Sequence, residues 1–79
     1  MPKIPLISGK KAVQVFERLG FLSVRQRGSH VIMKKQTPHE TFGCAIPLHR
    51  ELAVGTLRGI LRQAKVSPEE FVNALRKVF

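Results

Sequence analysis

Seventy-nine residues read as one domain, 1–79, and a chain this short buries only about 60% of its unfolded surface, which leaves no room for a large internal cofactor cavity. A hydrophobic share of 43% is too high for a disordered basic tail, and no apolar run approaches the roughly 20 residues that span a bilayer. Fourteen Lys and Arg against five Asp and Glu give a net charge of +9, which points to a polyanionic partner or, more simply, to a well-solvated basic surface.

Ser8 is placed to cap a first helix whose apolar residues Ala12, Val15, Phe16 and Leu19 recur at i, i+3, i+4 and i+7. Gly20 stands where a left-handed residue ends a helix, and Phe21 is spaced to touch Phe16 as in a Schellman ending. From Phe21 to Leu48 the period becomes two. Leu22 and Val24 alternate with Ser23 and Arg25, then Val31 and Met33 with His30, Ile32 and Lys34, then Phe42, Cys44, Ile46 and Leu48 with their neighbours. Turns are expected at Gly28-Ser29 and across Gln36-Thr37-Pro38-His39-Glu40, so the simplest arrangement is an antiparallel meander of three strands. The face of Ile32 is left open, because Val31 and Met33 compete for the core.

Leu57, Ile60, Leu61 and Ala64 predict a second helix that begins near Val54. A third starts at Ser67-Pro68, with Glu70 closing a capping box and Val66 and Phe71 spaced as a hydrophobic staple. Phe71, Leu75 and Val78 form its apolar stripe. Glu69 and Glu70 there balance Arg76 and Lys77, so the whole net charge resides in residues 1–65. The fold class is α+β, with helices on one face of the sheet and the other face open and charged.

The densest polar cluster is Arg25-Gln26-Arg27-Gly28-Ser29-His30. Arg25 and Arg27 share one side of a strand and present forked donors suited to phosphate. Gly28 permits a tight turn and a close backbone approach, and Ser29 lies beside it in the turn. Lys34 shares the parity of His30 and points to the same face. Imidazole exchanges protons near neutral pH, so His30 could take the proton of a ribose 2′-hydroxyl or protonate a leaving oxygen. Equally, a histidine at such a turn can be an ordinary surface hydrogen-bonding residue. His49 could carry the other proton, although the commoner role for a loop histidine is a bond to a helix end. His39 falls in a Pro-containing turn and reads as solvated. Lys10 and Lys11 occupy the first turn of helix one, where cations oppose the helix dipole, a cost that phosphate binding would offset. Arg58 and Arg62 extend the basic surface, whereas the five phenylalanines fall mostly at core spacing, which argues against a stacking platform for bases.

The single cysteine, Cys44, excludes an intrachain disulfide and alternates with Phe42 and Ile46 as a core residue would. The histidines and Cys44 lack the spacing of a zinc site, so no metal and no cofactor are expected. The opening stretch MPKIPLISGKK does not make a signal peptide, and a cytoplasmic protein is expected.

From about Ile7 to Phe71 the chain resembles the HicA family, the toxin half of HicA–HicB toxin–antitoxin pairs. The resemblance is carried by Ser8-Gly9-Lys10, Gly20-Phe21, Arg25-Gln26-Arg27-Gly28-Ser29-His30, Ile46-Pro47-Leu48-His49, the run Gly55 to Ala64, and Ser67-Pro68-Glu69-Glu70-Phe71, in that order. It implies a fold like a double-stranded-RNA-binding domain, metal-independent cleavage of mRNA, and inhibition by a HicB-like antitoxin that covers the active site. It also implies that His30, in the Gly-Ser-His string, is catalytic. Val31-Ile32-Met33 is more apolar than the corresponding stretch of many relatives, and Thr37-Pro38-His39-Glu40 stands where an Asp-Gly hairpin is commoner. Two other readings use the same residues: a non-catalytic RNA-binding module, and an interaction protein whose basic face meets an acidic partner. Paired carboxylates for glycosidase chemistry and a nucleophile–base set for proteolysis are both lacking.

Overall fold

The structure is a computed structural model and describes residues 3–78. The 1–79 reading therefore includes Met1, Pro2 and Phe79, which lie outside the described residues. The elements run α1 (Gly9–Arg18), β1 (Leu22–Arg27), β2 (His30–Gln36), β3 (Thr41–Pro47), α2 (Val54–Ala64) and α3 (Pro68–Val78). The strands form one antiparallel sheet in the order β1-β2-β3. This is the α+β arrangement expected.

Local chemistry sets the helix ends. Ser8 Oγ accepts from Lys11 N–H at 3.0 Å, which satisfies one donor of the first turn of α1. At its other end Gly20 N–H donates to Glu17 C=O and Phe21 N–H to Phe16 C=O, both at 3.0 Å, the bond pair of a Schellman motif. The Phe21 ring meets the Phe16 ring edge-to-face, with centroids 5.1 Å apart. Ser67 and Glu70 form the reciprocal capping box of α3: Glu70 N–H donates to Ser67 Oγ at 3.1 Å, and Ser67 N–H to Glu70 Oε1 at 3.0 Å.

One sheet face packs on the helices. Val31 and Met33 of β2 and Cys44 and Ile46 of β3 are buried with Val15 and Phe16 of α1, Leu57 and Leu61 of α2, and Phe71 of α3. Helix α1 contacts all three strands, α2 covers β3, and α3 lies against α1 and α2. Ile32 falls on the opposite face, half-buried, because its neighbours Val31 and Met33 take the core. Three core residues came without a periodic signal, Ile7 just before the Ser8 cap among them. Ile4 is buried ahead of α1, and Leu52 is fully buried in the loop before α2, where its N–H donates to Ile7 C=O at 2.7 Å.

Strand β1 departs from its alternation. A bulge between Ser23 and Arg25 shifts the register, so Ser23 opposes Met33 and Leu22 opposes Lys34. The extra residue carries Leu22 to the open face, alongside Arg25 and Arg27, instead of the face that the unbroken period assigns. All six residues of the strand are exposed, Leu22 by 70% and Val24 by 52%. β1 is one of the two edge strands of the sheet, and its apolar residues Leu22 and Val24 stay exposed.

Candidate functional site

The open sheet face is organised by the β1–β2 hairpin. Arg27 and His30 are direct cross-strand partners on either side of Gly28-Ser29. Gly28 has φ +59° while Ser29 keeps a negative φ, the pattern of a two-residue type II′ turn, in which glycine leads. Directly opposed residues share a face, as do alternate residues of one strand. Arg27 therefore stands with His30, Arg25 with Ile32, and Lys34 lies four residues along from His30 on the same side. Arg25, Arg27, His30 and Lys34 are all exposed, and none of their side chains makes a hydrogen bond or ion pair among the described residues. They form a cationic face with a histidine at one end and the half-buried Ile32 between His30 and Lys34.

The chain closes around that end of the sheet. His30 opposes Pro47 on β3, and Leu48 N–H donates to Ser29 C=O at 2.7 Å, which carries the pairing one residue past the strand. Gly9 N–H, at the start of α1, donates to His49 C=O at 2.9 Å. The approach at Gly9 is so close that a Cβ there would collide with the Pro47 carbonyl oxygen and lie 2.9 Å from Leu48 Cα. The first turn of α1, with exposed Lys10 and half-buried Lys11, is thereby held at the His30 end of the molecule. Sequence reading assigned no role to Gly9, because the contact that restricts it is made with residues some forty positions away.

Other candidates fall elsewhere. His39 lies at the far end of the β2–β3 hairpin, in a turn closed by Thr37: Thr37 Oγ1 donates to Glu40 C=O at 2.9 Å and accepts from Glu40 N–H at 3.1 Å. Lys35 points to the helical side, with its amine 5.9 Å from the Phe21 ring centroid. Cys44 is buried, and burial pushes its thiol up to about 12, so its reactive thiolate form is suppressed. Among the described residues no group of three His, Cys, Asp or Glu side chains is placed to hold a metal ion, and no helix is long and apolar enough to cross a membrane.

No curated protein and no solved structure matches the chain. The family described as the HicA toxin of bacterial toxin–antitoxin systems matches residues 9–66, a span that begins at Gly9 and includes the whole sheet and α2. That span is well over half of the 79 residues, and the chain belongs to the HicA toxin family, as the toxin of a toxin–antitoxin system.

Proposed function

We propose that this toxin is an endoribonuclease that cuts mRNA without a metal ion, and that His30 is its catalytic residue. The observation that carries the reading is the shared face of Arg25, Arg27, His30 and Lys34. A phosphodiester gripped by the two arginines lies within reach of an imidazole whose ring is not engaged elsewhere. His30 removes the 2′-hydroxyl proton as O2′ bonds to phosphorus, and Arg27 and Lys34 balance the charge that grows on the phosphoryl oxygens. The backbone at Gly28 and Ser29 lets the strand of RNA approach closely, and Lys10 and Lys11 extend the phosphate contacts along the molecule. The net charge of +9 draws the polyanion in.

The cognate antitoxin is a HicB-like protein that covers this face, and the toxin acts in the cytoplasm, where its mRNA substrate lies. An acidic antitoxin surface matches the same charges that hold RNA.

Incubation of the purified protein with mixed mRNA in EDTA, beside the His30→Ala variant, tests the reading. The parent is expected to cut, and the variant to bind RNA equally while cutting at least about 100-fold more slowly. If both bind and neither cuts, the protein is an RNA-binding module. If neither binds at physiological salt, the basic face serves the antitoxin alone.

A further inference from the structure

Cleavage of RNA by its own 2′-hydroxyl requires two proton transfers, one from O2′ and one to the departing O5′. We propose that His49 supplies the second, as the acid that protonates O5′; the inference rests on the nuclease reading above.

A loop histidine would ordinarily spend its ring on a nearby helix end. Here the helix end is met by the backbone instead: His49 C=O accepts from Gly9 N–H, and the exposed ring makes no hydrogen bond or ion pair among the described residues. The ring is thus available while its backbone is held. Three contacts do the holding: the Gly9–His49 bond, the Leu48–Ser29 bond, and the packing of Gly9 on Pro47 and Leu48 that excludes even a methyl group.

The position is also suited to the task. Pro47 is the direct cross-strand partner of His30, and His49 follows two residues later. Opposed Cα atoms stand about 5 Å apart. Two further residues add at most roughly 7 Å. The two imidazoles therefore rise from backbone sites no more than about 12 Å apart, at the end of the sheet where the Gly28-Ser29 turn lies. His39, at the far end of β2, has no such access.

The steps balance. His30 takes the O2′ proton as O2′ bonds to phosphorus. The P–O5′ bond breaks, its electron pair passes to O5′, and O5′ takes a proton from the His49 imidazolium. The products are a 2′,3′-cyclic phosphate and a 5′-hydroxyl, and proton exchange with water resets both rings.

The test compares RNA with an oligoribonucleotide that ends in a 3′-(4-nitrophenyl) phosphate, whose leaving group departs without a proton. His49→Ala and His49→Gln should lose about 10²- to 10⁴-fold on RNA and recover most of that loss on the nitrophenyl ester. His30→Ala should fail on both substrates, and His39→Ala should match the parent on both. The proposal is overturned if the His49 variants cut RNA within a few-fold of the parent, or if they lose equally on the two substrates. In either case a parent that cuts and a His30→Ala variant that does not would leave the nuclease reading standing. A parent that cuts neither substrate overturns both.

Discussion

Arg27 and His30 face each other across a two-residue turn, so the hairpin itself sets the spacing between a guanidinium fork and an imidazole. No longer-range contact is needed to bring them together. Removing the fork should therefore weaken the grip on RNA and leave the histidine in position. Arg27→Ala is expected to lower the slope of log affinity against log salt by about one, whereas His30→Ala leaves that slope unchanged. Fluorescence anisotropy with labelled RNA, over a series of potassium chloride concentrations, measures both.

Gly28 leads that turn with a positive φ that L side chains rarely adopt. Gly28→Ala should cost about 1 kcal/mol and lower the melting temperature by roughly 4–8 °C, in a domain of this size. Because the turn also sets the Arg27–His30 pair, cleavage should fall further than the lost stability explains. Assays well below the melting temperature separate the two effects.

Gly9→Ala brings a methyl group onto the Pro47 carbonyl and Leu48 Cα, both backbone atoms that cannot rotate away. Overpacking of this kind costs about 1–3 kcal/mol. Thermal unfolding followed by circular dichroism should show the drop, and a variant as stable as the parent would mean that the α1 start shifts freely away from β3.

Lys65 ends α2 in the left-handed region at φ 58°, with its N–H on Arg62 C=O at 3.2 Å and Val66 N–H on Leu61 C=O at 3.0 Å. The side chain contributes one exposed ion pair, with Glu40 at 3.4 Å, and such pairs add little. Lys65→Gly is expected to stabilise the protein by up to about 1 kcal/mol through relief at the cap. Urea titration reads the gain as a higher midpoint at unchanged slope.

Burial raises the Cys44 thiol from 9.0 to about 12, so between those values the unfolded chain releases a proton that the folded chain keeps. The resulting stabilisation is complete below pH 9 and is lost as pH climbs towards 12, by about 1.4 kcal/mol per unit. Unfolding midpoints should decline over that interval, and the decline should vanish in Cys44→Ala. At pH 8 the thiol should resist alkylation until the protein unfolds.

Short-range signals in this chain were legible because the atoms involved lie three to five residues apart. The Ser8 cap, the Phe16–Phe21 ending, the Ser67–Glu70 box and the Gly28-Ser29 turn all close within one helical turn or one hairpin, and each is present as its residues predict. The common face of Arg25, Arg27, His30 and Lys34 was legible for the same reason, since parity propagates outward from a two-residue turn. What lay beyond the reach of periodicity was non-local. The bulge at Val24 moved Leu22 to the open face. Competition with Val31 and Met33 settled the side of Ile32, and Leu52 found the core through a bond to Ile7. The tie from Gly9 to His49, which holds the backbone of the loop histidine against the start of α1, joins residues 40 apart. Local sequence determines turns and caps because their hydrogen bonds close within the segment itself. Tertiary structure alone decides which exposed groups meet, because only packing of distant segments against one another sets those distances.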